Sequence, residues 1–322
     1  MTLYRKCVWF MKGLREYTKS GYQSASKNFN DGDLDVDCSG KVYMITGANS
    51  GIGESVAQHV AKCGGTVHMV CRNAQTAEEA KARMIEKTNN QNIYLHILDL
   101  AAPQEVYKFA KEFAEKNNKL DVLVNNAGCM VHEKRIDSYG NEYNFATNVL
   151  SPHILTRLLT PLLIQSNHGR VIMVTSGGML LEKLDSDDPQ LLKQEPFDGV
   201  RSYAQNKRQM VVMAEQYAEE NPNIFHASAH PGWADTPSVR SALPDFHKRM
   251  EGRLRSSEEG ADTITWLSIS QSALAQGNGK FYQDRSPVNA HLPLAWTHST
   301  KEEVLKFISY LDTSMEKVKS SR

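Results

Sequence analysis

Residues 41–53 read Lys-Val-Tyr-Met-Ile-Thr-Gly-Ala-Asn-Ser-Gly-Ile-Gly, and this stretch decides the fold. Val42 to Thr46 is a short apolar run with β-branched residues, the pattern of a buried strand. Gly47, Gly51 and Gly53 follow at once, and Ser55 to Ala61 has helical character. A strand, a glycine turn and a helix in this order form a phosphate-binding element. Glycines let the backbone turn tightly and approach the ligand, while the helix N-terminus presents free N–H groups and the positive end of its dipole. The spacing is G-x-x-x-G-x-G, not the G-x-G-x-x-G of the common dinucleotide fingerprint. A glycine triplet alone also occurs in ordinary strand-to-helix turns, so the rest of the chain has to decide.

Outward from this turn, strands and helices alternate. Thr66 to Cys71, Asn92 to Leu98, Leu120 to Asn125, Arg170 to Thr175 and Ile224 to Ala229 read as strands. Ala74 to Thr88, Pro103 to Asn117 and Ser202 to Glu220 read as helices, with Pro103 at a favoured first helical position. A longer helix is predicted from about Ser138 to Ile164, with a kink or break at Pro152. This alternation predicts a single-domain α/β fold, a doubly wound parallel sheet of about seven strands with helices on both faces. The domain spans 39–322, with a lid around 233–257 and a C-terminal extension at 286–322.

Residues 1–38 stand apart. Leu3, Cys7, Phe10, Leu14 and Tyr17 form one helical stripe, and Arg5, Lys6, Lys12, Arg15, Lys19 and Lys27 face only Glu16. Such a helix lies on an anionic membrane or lipid droplet, or packs its stripe on the protein itself; both readings stay open. Asp31, Asp33, Asp35 and Asp37 then form an acidic linker. Lys plus Arg and Asp plus Glu number 37 each, so no net charge draws the chain to nucleic acid. Five scattered cysteines without a C-x-x-C pair, and no glycosylation sequon, point to an intracellular, reducing location on the cytoplasmic side. His226 and His230 are four apart on a strand, about 13 Å by strand rise, too far for one metal. His132, His153 and His168 lack zinc-type spacing, so no metal is expected.

The second strand selects the cofactor. A carboxylate at its end would bind the adenosine ribose of NAD; this chain has Val70-Cys71 and then Arg72. An arginine pairs bidentately with a 2′-phosphate, which favours NADP(H) over NAD(H). A surface arginine without a ligand is the plainer alternative. Tyr203 and Lys207 lie one helical turn apart on one face. A neighbouring ammonium is expected to lower the phenol pKa from about 10, so that the pair can exchange the proton that accompanies hydride transfer. Ser176, at the end of the fifth strand, is the candidate to hydrogen-bond a substrate oxygen, with Thr175 as the competing hydroxyl.

Together these residues resemble the short-chain dehydrogenase/reductase family. The motifs are Thr46 to Gly53, Asp99, Asn125-Asn126-Ala127-Gly128, Asn148, Ser176, Tyr203 with Lys207, and Pro231-Gly232 with Thr236, in family order over roughly 40–285. The N-terminal FMKGLREYTKSGY and the C-terminal GKFYQDRSPVNAHLPLAWT further resemble one particular member. The resemblance implies a carbonyl–alcohol oxidoreductase acting on a small, lipophilic molecule. Tyr203 would be the general acid or base. Lys207 would hold the nicotinamide ribose, Ser176 would polarise the carbonyl, and Asn148 would keep a water in the proton relay. Thr46, Gly47, Asn49, Ser50, Gly51, Ile52, Gly53, Arg72, Asp99, Leu100, Asn126, Ala127, Gly128, Pro231, Gly232 and Thr236 would hold the cofactor. Trp233 would join Ser176 and Tyr203 at the substrate, with Leu243 and Phe246 in the lid.

Two departures stand out. Asn206 precedes the lysine where the family often has serine, and Ser176 and Tyr203 are separated by a long leucine-containing insert, Gly177 to Arg201. That insert walls the substrate site or forms a surface loop with a short helix. Relatives often pair through long helices, here 104–117 with 138–164, or 202–220, which leaves a homodimer open. The competing function is an NADP(H)-binding scaffold or sensor that docks through its N-terminal helix.

Overall fold

The computed structural model describes residues 2–320. Strands β1 (Val42–Thr46), β2 (Thr66–Cys71), β3 (Ile93–Ile97), β4 (Val122–Asn125), β5 (Arg170–Val174), β6 (Phe225–Ala229), β7 (Lys280–Gln283) and β8 (Ser286–Pro287) form one sheet. Its order is β3-β2-β1-β4-β5-β6-β7-β8, parallel throughout except for β8, which pairs antiparallel with β7. The parallel part is the doubly wound sheet expected. Chain order reverses direction between β1 and β4, which opens a crevice at their C-terminal ends, the place where such sheets take ligands.

The helices are α1 (Thr2–Glu16), α2 (Lys19–Ala25), α3 (Gly51–Lys62), α4 (Ala74–Thr88), α5 (Pro103–Lys116), α6 (Tyr143–Phe145), α7 (Ser151–Gln165), α8 (Gly199–Glu220), α9 (Pro237–Ala242), α10 (Pro244–Arg249), α11 (Ser257–Ile269), α12 (Gln271–Leu274) and α13 (Lys301–Ser320). α3, α4 and α11 bury Val56, Met84 and Ile264 on one face of the sheet. α5, α7 and α8 bury Phe113, Leu159 and Met213 on the other. Both faces are covered, so β4 and β5 are buried at every position and read as continuous apolar runs. Caps set the helix starts. The Asn73 side chain caps α4, the Asp198 carboxylate caps α8, and Ser256 with Glu259 form a capping box on α11.

The helix predicted from Ser138 begins only at Tyr143, because Asp137 gathers the amides of Tyr139 and Asn141 into a loop. Its break comes one turn before Pro152, as a π turn over Ala146–Leu150. Pro152 then sits in the first turn of α7, where its missing N–H is tolerated. The acidic linker is a packed strap: Asp33 accepts hydrogen bonds from Trp266 Nε1 and Ser272 Oγ, each at 2.8 Å. The insert 177–201 holds one 3-10 turn, Gly177–Leu181, and buries Leu180, Leu184 and Leu191. No helix among the described residues is long and apolar enough to cross a membrane.

α1 packs on the domain by only part of its predicted stripe. Leu14, and Tyr17 just past the helix end, are docked together with Trp9 and Gly13, and Phe10 touches Trp233, while Leu3 and Cys7 stay exposed. Gly13 is required at the contact, since a Cβ there would lie 2.3 Å from Trp233 Cζ2.

The C-terminal helix changes the expectation of pairing. α13 buries Phe307, Ile308, Leu311 and Val318 in the core shared with α5 and α7, and its Asp312 meets Arg157 of α7 at 3.3 Å. It packs on α5 and α7, one of the two helix sets through which a homodimer was left open, so pairing through that face needs α13 displaced. Leu311 has no exposed surface. Leu311→Ala is expected to lower unfolding free energy by about 2–5 kcal/mol, read by urea denaturation. A change near zero would mean that α13 docks loosely.

Candidate active site

The glycine turn sits at the crevice between β1 and β4. Gly47 has φ +67°, in the left-handed region. A Cβ on Gly53 would fall 2.3 Å from Gly47 O, so α3 starts this close to β1 only with glycine there. Thr46 Oγ1 accepts from Asn126 N at 3.0 Å and Ala127 N at 2.9 Å, and donates to Val124 O at 3.4 Å. Asn126 Nδ2 donates to Thr46 O at 2.8 Å. Thr46, Asn126 and Ala127 thus lock two strand ends together. Ser50, at the α3 N-cap, makes no capping hydrogen bond and is exposed, while Ile52 behind it packs on the core. Asn49 Nδ2 donates to Thr76 Oγ1 at 2.9 Å, which fixes the turn to α4. Gly51 lies against Thr236, whose Cγ2 would be 3.3 Å from a Cβ there.

At the end of β2, Arg72 is exposed and its Nη1 donates to the Tyr143 hydroxyl at 3.0 Å. Burial, with Asp99 nearby, raises the Tyr143 phenol pKa, and Arg72 opposes that rise. Asp99 is exposed and accepts from Ala101 N at 3.0 Å. Leu100 O accepts from Ser151 Oγ at 2.6 Å, tying the start of α7 to the end of β3.

Ser176 follows β5, and α8 carries Tyr203 and Lys207. Thr175 donates to Lys207 O at 2.7 Å and so is committed to holding α8. Ser176 Oγ accepts from Gly178 N at 3.3 Å and lies beside the Tyr203 phenol, near enough to oppose the rise of its pKa. Lys207 Nζ donates to Val174 O at 2.8 Å and touches Met210 Sδ; it lies 5.4 Å from the Tyr203 ring centroid. The expected lowering of the phenol pKa by Lys207 is not found. Burial pushes Tyr203 up to about 12, with the Cys129 thiol adding to the rise and Ser176 opposing it. Lys207 sits over the ring face with its ammonium turned to a carbonyl, so burial wins. The same burial pushes Lys207 down to about 8.

Asn148 lies in the π turn. Its Oδ1 accepts from Cys129 N at 2.8 Å, and its Nδ2 donates to Cys129 O at 2.8 Å and Asn206 Oδ1 at 3.1 Å. The asparagine in place of serine at 206 is therefore a partner of Asn148. Pro152, four residues on, has no N–H, so the Asn148 carbonyl lacks its α-helical donor. A Cβ on Gly128 would be 3.1 Å from Asn148 Oδ1 and 3.3 Å from Lys207 Nζ, so these three residues meet.

After β6, Gly232 has φ +80° and lies flat against Arg255. Arg255 is buried and bidentate to Asp284, at 2.6 and 3.0 Å, and donates to Pro231 O and to Glu16 O. Trp233 is 8% exposed. Trp9, Phe10, Tyr17 and Phe246 surround it, so its ring mainly docks α1. Trp9 Nε1 donates to Gly177 O at 2.7 Å, beside Ser176, and His230 Nδ1 accepts from Gly177 N at 2.9 Å. Burial keeps His230 neutral. His226 is also buried, and neither of its ring nitrogens is hydrogen-bonded.

Four residues were missed in the sequence: Tyr143, Cys129, Arg255 and Trp9. Tyr143 and Arg255 act across 71 and up to 239 residues, and no local spacing signals such contacts.

A glycine turn at the switch point and a Ser–Tyr–Lys group beside it define an NAD(P)-dependent oxidoreductase, and the chain belongs to the short-chain dehydrogenase/reductase family. The family model for short chain dehydrogenase matches residues 41–182. Dehydrogenase/reductase SDR family member 12 from Homo sapiens is 52% identical, with 97% of this chain and 98% of that protein covered. Retinol dehydrogenase 12 from Mus musculus is 28% identical over 77% of this chain and 79% of its own. Among solved structures, a short-chain dehydrogenase from Shigella flexneri complexed with NADP has a TM-score of 0.61 at 22% identity, covering 77% of this chain and 99% of that one.

Gly53→Ala is expected to abolish NADPH binding, read by nicotinamide fluorescence, because the new methyl group meets a backbone carbonyl that cannot move. Retained binding would show that α3 can shift away from β1.

Proposed function

We propose that this chain is an NADP(H)-dependent oxidoreductase that interconverts a carbonyl and an alcohol on a lipophilic small molecule. The observation that carries the reading is Lys207: a buried lysine with no carboxylate partner, between Gly128, Asn148 and the Tyr203 ring, with Ser176 on the phenol. An uncompensated buried cation is costly unless a ligand uses it.

The residues fit the cofactor. The backbone of Gly47 to Gly53 with Ser50 would take the pyrophosphate at the start of α3. Arg72, with no carboxylate beside it at the end of β2, would pair with the 2′-phosphate. Asp99, Leu100 and Asn126 to Gly128 would flank the adenosine side, and Pro231, Gly232 and Thr236 the carboxamide side. When bound, the nicotinamide supplies or accepts the hydride.

The chain supplies the rest. Ser176 orients the substrate oxygen toward Tyr203. The phenol, protonated at neutral pH, donates its proton to that oxygen in reduction and takes it back in oxidation. Lys207 holds the ribose and passes a proton toward Tyr203. The Asn148 carbonyl, which Pro152 denies an i+4 donor, is the acceptor for a relay water. Partly exposed Phe10, Leu243 and Phe246 support a lipophilic substrate. The retinol dehydrogenases among the relatives, by their name, act on such a molecule.

Tyr203→Phe is expected to lower kcat for carbonyl reduction by about 10²–10⁴ and to leave NADPH affinity near that of the wild type. In the wild type, kcat/KM for reduction is flat below the Lys207 pKa of about 8 and falls above it, as the ammonium loses its proton while Tyr203 keeps its own. A Tyr203→Phe enzyme with full turnover would remove the phenol from the reaction. Arg72→Asp is expected to weaken NADPH binding roughly 10- to 100-fold and NADH binding little, measured by separate titrations. Equal losses for both would make Arg72 structural.

A further inference from the structure

The four most exposed large apolar side chains among the described residues are Leu3 at 76%, Leu294 at 73%, Trp296 at 71% and Met11 at 67%. They come from opposite ends of the chain and lie on one surface. The Tyr4 hydroxyl donates to Pro293 O at 2.9 Å, and Arg5 Nε donates to Ala295 O at 2.9 Å, so the first turn of α1 is bonded to the 293–295 loop. Met11 lies two helical turns beyond Tyr4 on the same outward face, with exposed Cys7 between them.

The loop is built to turn its large residues outward. Leu294 and Trp296 have φ of 54° and 55°, a left-handed backbone that is uncommon for bulky residues. Leu292 and Ala295 are buried beneath them. His291 is bonded to Thr297 at 2.8 Å and stacked on His298, which closes the loop. A strained backbone that is held from both sides and displays a tryptophan and a leucine to solvent points to a use for them.

Charge identifies the occupant. Residues 1–15 and 285–300 contain no aspartate or glutamate. Lys6, next to Cys7, and Arg15, one helical turn beyond Met11, are exposed beside the apolar surface. Trp, Tyr, Leu and Met with flanking bases and no acid are the composition of a protein face that sits at the headgroup level of an anionic bilayer.

We propose that this two-ended surface, the outer face of α1 with the 292–297 loop, seats the protein peripherally on an anionic membrane. This goes beyond the oxidoreductase reading and stands without it. The same helix holds Gly177 beside Ser176 on its inner face, so the membrane seat and the substrate side of the site share one element.

The test is co-sedimentation of the full chain with phosphatidylcholine vesicles, with and without phosphatidylserine. The wild type is expected to sediment with the phosphatidylserine vesicles and to leave them as salt is raised. Leu294→Ser with Trp296→Ser, and separately Lys6→Glu with Arg15→Glu, should each reduce the bound fraction roughly tenfold. NADPH titration of each variant shows that the fold and the site persist. Failure of the wild type to sediment overturns the proposal, as does binding that neither pair of substitutions alters. A wild-type dimer that the Leu294→Ser, Trp296→Ser pair converts to monomer, with no effect on vesicles, assigns the surface to a second copy and also overturns it.

Discussion

Thr46 ends β1 with a hydroxyl that accepts two amide protons from the chain leaving β4 and donates to a carbonyl of that strand. A valine of the same shape would leave those two amides without partners, at about 1–3 kcal/mol each. The glycine turn, which starts at the next residue, inherits its position from this contact. So does Gly128, which continues from the same β4 end to meet Lys207 and Asn148. One buried hydroxyl therefore sets the glycine turn, Lys207 and Asn148 in a common frame.

A second frame is built around Arg255. Its guanidinium joins the loop after β6 at Pro231, the carboxylate of Asp284 and the carbonyl that ends α1 at Glu16. Buried ion pairs add little net stability, but losing one partner leaves the other charge stranded, at about 3–5 kcal/mol. The pair thus acts as a latch more than as a source of stability. It makes the N-terminal segment part of the domain. With Trp9 on Gly177 and Trp233 enclosed by aromatic rings, α1 becomes a wall near Ser176.

The electrostatics of the site follow from exclusion of water. Tyr203 and Lys207 are shifted in opposite directions by the same cause, each toward its neutral form. Their acidities part and change order: ordinary values leave the phenol slightly the more acidic, whereas here the Lys207 ammonium, at about 8, is a stronger acid than the Tyr203 phenol, at about 12, so the lysine can return a proton to a phenolate that has given its own to the substrate. The pair is held there by carbonyls and a hydroxyl, with Thr175 committed to the helix and Ser176 turned to the phenol.

Much of this was legible in the residues themselves. Alternating apolar runs, Pro103 at a helix start and the glycine turn predict the sheet and its order of elements, because strand and helix periodicity and turn chemistry are local properties. The Tyr203–Lys207 spacing was readable for the same reason. The sign of the Tyr203 shift was not, since it depends on how much water the surrounding elements exclude. Nor was the docking side of α1: the helix is apolar on two sides, and only the shape of Trp233 against Gly13 selects one. The break in the 138–164 helix was placed near Pro152 by a local rule, yet its form, a π turn that aims Asn148 at Cys129, is set among α5, α8 and α13, which pack around it. Local pattern determined which elements exist and which residues could do chemistry. Tertiary structure alone decided which of them meet, because Arg72–Tyr143, Asn148–Asn206 and Arg255–Glu16 join residues far apart in the chain, where no periodicity links one to the other.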